Sequence, residues 1–234
     1  MSEIRAVIFD WGGTLTPWRT MDYVAEWRSV AGVGELPVGL DPESATQALH
    51  AAANQVWARS RDEHRSATIA EICAIVGLEL TAQRVEAYRA FWEPATWTDA
   101  EVRPLFERLR ADGLAIGVLS NTVWPAAWHD EILQRDGVLD LIDGRVYTSE
   151  LEWTKPHEQA FAAARAAVGV DDPAACVYVG DRLFDDIWGA HNAGMRAVWV
   201  PHSQIPADQL GHAEGVPDAT VQSLRDIPDA IARL

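Results

Sequence analysis

Apolar and polar positions follow two different rhythms along this chain. Over residues 17–97 apolar side chains recur at helical spacing, in stretches near 20–31, 42–61, 66–77 and 81–94. Asp41-Pro42 and Ser66 read as helix starts there, and Gly32, Gly34 and Gly77 as stops. No buried strand is expected in this part. Residues 98–234 alternate instead between short apolar runs and helical repeats. Strands are expected at Ala115–Ser120, Arg145–Thr148, Cys176–Gly180 and Ala197–Val200, and helices at 99–112, 124–135, 157–168, 185–193 and near 222–233. Val7, Ile8 and Phe9 form one more strand near the start. Strands alternating with helices imply a parallel sheet covered on both faces. The first strand belongs to that sheet. Residues 1–16 and 98–234 therefore read as one α/β unit, and 17–97 as a helical unit inserted after the first strand. The joints fall at Thr16-Pro17-Trp18 and Pro94-Ala95-Thr96-Trp97.

Composition narrows the class. Apolar residues make up 48% of the 234, enough for a packed core, and the length suits one domain with an insertion or two small ones. No run of eighteen apolar residues occurs, so no membrane span is expected. The first residues, Met1-Ser2-Glu3-Ile4-Arg5, have no apolar signal core. Cys73 and Cys176 are far apart and unpatterned, which suits a reduced, cytoplasmic protein. A net charge of −16 disfavours nucleic acid and anionic membranes as partners and describes a solvated acidic surface. A monomer or homodimer is expected.

Four loops at expected strand ends carry chemistry. Asp10 follows the first strand directly, and Trp11, Gly12, Gly13 and Thr14 come next. The carboxylate lies at the C-terminal edge of a buried strand, where open α/β sheets bind ligands. The glycines permit a tight turn with amides turned to an anion. Ser120, Asn121 and Thr122 place a hydroxyl and an amide at a second strand end. Lys155, at a helix start, is the one lysine among nineteen cationic side chains. Gly180-Asp181-Arg182-Leu183-Phe184-Asp185-Asp186 gathers three carboxylates around a turn. Acids at a helix start complement its dipole, which accounts for Asp185 or Asp186 but not for Asp181 directly after strand and glycine. Together the loops offer a nucleophile, a hard-cation site, a hydroxyl and a fixed positive charge, the set that phosphoryl transfer uses.

These four motifs, in this order on these strands, resemble the haloacid dehalogenase (HAD) superfamily of hydrolases with a helical cap inserted after the first motif. The resemblance covers essentially the whole chain. It implies a Rossmann-like parallel sheet of five strands in the order 3-2-1-4-5. It implies Asp10 as nucleophile through an aspartyl-phosphate, and Thr14, Ser120 and Lys155 as further catalytic residues. It implies Mg²⁺ held by Asp10, the Gly12 carbonyl, Asp181 and Asp186, with Asp185 near or behind. Trp11, Gly13 and Asn121 would meet a small phosphorylated substrate.

One departure matters. Most family phosphatases carry a second aspartate two residues after the nucleophile, as general acid and base; here that residue is Gly12. A positioned acid is worth roughly 10²–10⁴-fold in rate. A glycine there is also one way to admit a backbone conformation that aspartate resists. The resemblance therefore implies a Mg²⁺-dependent phosphatase whose leaving group departs unprotonated or is protonated from the cap. A metal-free 2-haloacid dehalogenase is the alternative, although that branch loses the acidity of motif four. A phosphonoacetaldehyde-hydrolase-like chemistry needs a cap lysine, and this cap has none. A degenerate phosphate-binding protein is the non-enzymatic reading.

The substrate is set by the expected cap, where the pattern is less informative. The chain has 11 tryptophans, and Trp11, Trp18, Trp97, Trp124 and Trp153 fall in or beside the loops and joints. They are expected to pack cap against core, or to line an aromatic pocket. His64 and Arg65 read as a solvated helix end within reach of the site, and His129 and His157 as surface residues.

Overall fold

A computed structural model describes residues 3–201 and 212–234, so Met1 and Ser2 of the expected first segment lie outside it. Strands β1 (Ala6–Phe9), β2 (Ala115–Ser120), β3 (Gly144–Tyr147), β4 (Cys176–Gly180), β5 (Arg196–Trp199) and β6 (Ala219–Thr220) form one sheet in the order β3-β2-β1-β4-β5-β6. Every neighbouring pair is parallel. The expected five-stranded order is present and extended by β6. A two-residue strand of Ala and Thr gives no apolar alternation by which to read it, so β6 is invisible to patterning.

Side-chain alternation along the strands divides the core. Val7, Phe9, Val177 and Val179 face one side with Phe106 and Leu109 of helix α5 (Val102–Ala111). Ala6, Ile8, Cys176 and Tyr178 face the other, against Phe161 of helix α7 (Glu158–Ala167). The ring centroids of Phe9 and Phe106 lie 5.2 Å apart. A strand buried on both faces cannot alternate apolar with polar, which is why β1 and β4 read as short continuous runs.

Between β1 and α5 the chain forms helices α1 (Tyr23–Ala31), α2 (Pro42–Glu63), α3 (Ile69–Ile75) and α4 (Ala82–Trp92). Asp41 caps α2 by accepting from the amides of Glu43 and Ser44, with Pro42 in the first turn. Helix α3 starts at Thr68 rather than Ser66. Thr68 and Glu71 form a reciprocal capping box, while the Ser66 hydroxyl bonds the Leu151 carbonyl instead. Trp27, Leu49 and Ile72 join the same continuous cluster as Phe9 and Phe106, so these helices and the sheet share one core. The remaining helices are α6 (Ala126–Arg135), α8 (Gly189–Asn192) and α9 (Ile227–Ile231). The helix expected over 185–193 is instead a π-helical turn, Leu183–Trp188, running into α8. The tail expected as a helix over 222–233 is shorter, a 3₁₀ turn at Leu224–Asp226 followed by α9. Among the described residues no helix is long and apolar enough to cross a membrane.

Phe106→Ala removes a fully buried ring between sheet and α5. Urea denaturation is expected to show a loss of about 3–5 kcal/mol. A loss below 1 kcal/mol would mean that this face of the sheet is not closely packed.

Candidate active site

Parallel pairing puts the ends of β1 and β4 side by side, since Phe9 is opposite Val179 and the Asp10 amide donates to the Val179 carbonyl at 2.9 Å. Asp10 and Asp181 therefore leave adjacent strands at the same edge. Asp10, Asp181 and Asp186 are buried, and one carboxylate oxygen from each lies within 4.8 Å of the others. Lys155 enters from the loop before α7. Its ammonium donates to Asp10 Oδ1 at 2.7 Å, to Asp186 Oδ1 at 2.7 Å and to the Tyr178 hydroxyl at 2.9 Å. All three of its N–H donors are used.

Local sequence explains why this arrangement is possible. Gly180 has no Cβ, and a Cβ there would overlap the Asp186 carboxyl group. The glycine thus admits Asp186 beneath the strand end, where its Oδ2 accepts from the Arg182 amide at 2.9 Å. Asn121, expected at the substrate, uses its amide on the Lys155 main chain. It accepts from Lys155 N at 2.8 Å and donates to Lys155 O at 3.0 Å. Asn121 thus ties the lysine main chain in place while also lining the cavity beside Asp10. Gly13, at φ 92°, permits the tight turn, but its amide donates to the Thr16 carbonyl at 2.9 Å. It is not turned to an anion as expected. Gly12 does not need to be glycine for backbone reasons. It lies outside the left-handed region, and a Cβ there meets nothing within 4 Å. Ser120 is buried at the end of β2 and faces the same cavity as Asp10 and Lys155. The Thr14 hydroxyl is buried without a partner and does not line that cavity.

The electrostatics are unbalanced. Three buried carboxylates meet one ammonium, and both Asp181 oxygens are buried with no hydrogen-bond partner. Burial, with Lys155 opposing it and Asp186 adding to it, pushes Asp10 up to about 6. Burial and the neighbouring Asp10 and Asp186 hold Asp181 well above the usual carboxylate range. Burial alone would lower Lys155, but Asp10 and Asp186 outweigh it and keep the ammonium protonated. Unpartnered, buried carboxylate oxygens around a surplus of negative charge are a donor set suited to a hard divalent cation. These residues fit a metal ion.

Beside this cluster opens a cavity of about 510 Å³ whose wall includes Asp10, Ser120, Lys155 and Asp186. Trp11, Trp18 and Trp124 line it, as does the aromatic set Trp27, Tyr88 and Trp92 from the helices between β1 and α5. Trp97 and Trp153 do not. Trp97 is exposed beneath the Arg135 guanidinium, and Trp153 stacks on His157 with Arg65 above it. His64 ends α2 at φ 55°, with its ring 6.5 Å from that of Phe184, and does not line the cavity. His129 corrects the surface expectation. It is fully buried, stacks on Tyr147 at 4.3 Å, meets the Thr122 hydroxyl at 3.1 Å and is held neutral by burial, at about 3. Two residues escaped the sequence reading. Tyr178 is a phenol inside a buried strand, which signals that its hydroxyl has a partner. Glu26 lies between apolar positions on α1 and is buried in the cavity wall.

The chain matches the family described as haloacid dehalogenase-like hydrolase over residues 4–194. It is 27% identical to the glyceraldehyde 3-phosphate phosphatase of Methanopyrus kandleri over 238 residues, covering 99% of this chain and 98% of that protein. Two solved structures share its fold. A HAD phosphatase from Thermococcus onnurineus has a TM-score of 0.67 at 22% identity and 97% coverage of both chains. A 2-haloacid dehalogenase from Pseudomonas syringae has a TM-score of 0.64 at 24% identity, covering 98% of this chain and 99% of that one.

Burial makes Lys155, expected from the sequence as a catalytic residue, a structural one as well. Lys155→Met leaves Asp10, Asp181 and Asp186 without their cation, and urea denaturation near neutral pH is expected to show a loss of about 3–5 kcal/mol. Asp10→Asn relieves the negative surplus and keeps Lys155 paired with Asp186, so its stability is expected to match or exceed wild type. Equal stability for both variants would sink the account of the cluster as charge-unbalanced.

Proposed function

The chain belongs to the haloacid dehalogenase-like hydrolase family, and from that premise we propose that it is a Mg²⁺-dependent phosphatase of small phosphate monoesters. The observation that carries this reading is the convergence of Asp10, Asp181 and Asp186 on one buried point opposite Lys155. The end-to-end likeness to a glyceraldehyde 3-phosphate phosphatase supports it. The helices between β1 and α5 serve as the cap over residues 17–97, with residues 1–16 and 98–234 as the catalytic unit.

Asp10 is the nucleophile. One of its oxygens attacks phosphorus, the bond from phosphorus to the ester oxygen breaks, and the leaving group departs with the bonding pair. Water then attacks the phosphorus of the aspartyl-phosphate, orthophosphate leaves with the water oxygen, and Asp10 returns as carboxylate. Lys155 fixes the orientation of Asp10 through Oδ1 and offsets charge around the transferring group. Ser120 holds phosphoryl oxygens. Bound Mg²⁺, held by Asp10, Asp181, Asp186 and the Gly12 carbonyl, supplies further neutralisation of the phosphoryl charge. A metal-free displacement on a 2-haloacid gives no purpose to the two unpartnered oxygens of Asp181, and a binding protein gives none to the oriented carboxylate of Asp10.

Asp10→Asn is expected to abolish hydrolysis of p-nitrophenyl phosphate, and a chelator is expected to abolish it in the wild type, with recovery on adding Mg²⁺. Full activity on a 2-haloacid in excess chelator would turn the assignment to a dehalogenase.

Gly12 leaves the proposed reaction without the usual acid. Aryl phosphates are therefore expected to be cleaved far faster than alkyl phosphates lacking electron-withdrawing groups. The open space at position 12 admits an aspartate, and Gly12→Asp is expected to flatten that dependence. The gain on alkyl esters is bounded at roughly 10²–10⁴-fold. Similar wild-type chemical-step rates for both ester classes would show that another donor operates.

A further inference from the structure

The far wall of the cavity holds a buried acid that the proposed chemistry does not use. Glu26 is 6% exposed. Trp92 Nε1 donates to its Oε1 at 3.0 Å, and the Tyr88 hydroxyl, itself accepting from Trp124 Nε1 at 3.0 Å, bonds it as well. Both partners are neutral, and among the described residues Glu26 has no ion-pair partner. Two accepted bonds leave carboxylate lone pairs to spare. The acid is connected to the nucleophile by an aromatic wall: Trp11, next to Asp10, lies 5.8 Å from Trp124, and Trp124 lies 5.6 Å from Trp92. Trp27 and Tyr88 complete the surround, 5.6 Å apart.

Burial separates this end of the cavity from its mouth. Arg19 and Arg61 also line the cavity but are exposed, where water and salt screen them. Arg182 lines the cavity too, over the Trp18 ring near the strand ends, and Lys155 lies at the base; among the described residues the charged group beside Trp27, Tyr88, Trp92 and Trp124 is the carboxyl of Glu26. Trp92 and Trp124 direct their Nε1–H edges to Glu26 and Tyr88, so the carboxylate is the group here that selects a cation over an anion, and any aromatic face bordering the cavity adds to that preference. Desolvation pushes Glu26 up to about 7, the cost of a buried acid that lacks a positive partner.

We propose that Glu26 and the rings of Trp27, Tyr88, Trp92 and Trp124 form a specificity subsite for an ammonium group on the leaving group of the substrate. The substrate class is a phosphate monoester of an amino alcohol. This rests on the phosphatase reading and deepens it. An ammonium close to the departing oxygen withdraws electron density and stabilises the alkoxide, which compensates in part for the acid missing at Gly12. Glu26 is a binding residue and exchanges no proton with the ester oxygen.

Phosphocholine and 3,3-dimethylbutyl phosphate, the carbon isostere that lacks the ammonium charge, test the subsite. The readout is the ratio of kcat/KM for the two esters, compared between wild type and Glu26→Gln, so that intrinsic leaving-group acidity cancels. Glutamine keeps the acceptor for Trp92 and Tyr88 and removes the charge. The ratio is expected to fall roughly 10–100-fold, the size of a lost charge-assisted contact. A purely structural role would lower both esters alike and leave the ratio unchanged, which overturns the proposal. Binding provides a second readout, followed by tryptophan fluorescence in an Asp10→Asn background where turnover is blocked. Phosphocholine is expected to bind about tenfold or more tighter than the isostere, and equal affinity overturns the subsite even if Glu26→Gln does not fold. If no phosphate ester, p-nitrophenyl phosphate included, is turned over with Mg²⁺, the phosphatase reading fails, and the binding comparison still decides the subsite.

Discussion

One buried ammonium organises this molecule. Taking an ion out of water costs several kcal/mol, and a partner in good geometry must offset it. Lys155 meets that condition by donating to Asp10, Asp186 and Tyr178 at once. Each partner then depends on a further feature. Asp10 needs β1 beside β4, Asp186 needs the missing Cβ of Gly180, and Tyr178 needs its own acceptor, the Leu119 carbonyl at 3.0 Å. The pairing of β1 with β4 and the glycine at position 180 are thus the features that hold this charge. The surplus of carboxylate that remains, with both Asp181 oxygens unpartnered, is a donor set suited to a divalent cation.

The same lysine is tied to the helices above it. The loop leading into Lys155 pairs with the end of α2: Thr154 N donates to the His64 carbonyl at 2.9 Å, and Ser66 N donates to the Glu152 carbonyl at 3.1 Å. The Ser60 hydroxyl reaches Thr154 Oγ1 at 3.2 Å. His64 adopts its left-handed backbone where α2 turns onto this loop. On the opposite side the Ile69 amide donates to the Val123 carbonyl, just past Asn121, which positions Lys155. The roof of the cavity and the cation at its base are thus registered through the backbone.

The parallel sheet and its four loaded loops are legible in the sequence because each strand is a short buried run and each loop carries an unusual polar cluster directly after it. Asp10, Lys155 and Asp181 stand out for that reason. What is not legible is how polar groups are used. Asn121 and Gly13 belong to the right loops, yet their amide groups are engaged within the protein, and no spacing rule distinguishes a group facing a ligand from one bonding a neighbouring loop. His129 has a polar side chain on a helix and reads as exposed, but a partner hydroxyl and a stacked Tyr147 make its burial possible. Glu26 is hidden for the same reason: its hydrogen-bond donors, Tyr88 and Trp92, are more than sixty residues away, so only the tertiary fold reveals it.

Position 12 brings these lines together. Nothing in the loop excludes a side chain there, because the backbone is ordinary and the space above it is open. The absence of an acid is therefore not forced by packing. On the proposed reading it has a chemical consequence, since a site without a proton donor works only on esters that stabilise their own departing oxygen. Selectivity must then come from recognising such leaving groups, and that task falls to the cavity wall. The helices between β1 and α5 supply α1 and α4 to that wall, with Glu26 on one and Tyr88 and Trp92 on the other. On the proposed reading, discrimination among substrates falls to those helices and the phosphoryl chemistry to the strand ends. The two tasks are then separable, because α1 and α4 carry none of Asp10, Ser120, Lys155, Asp181 and Asp186.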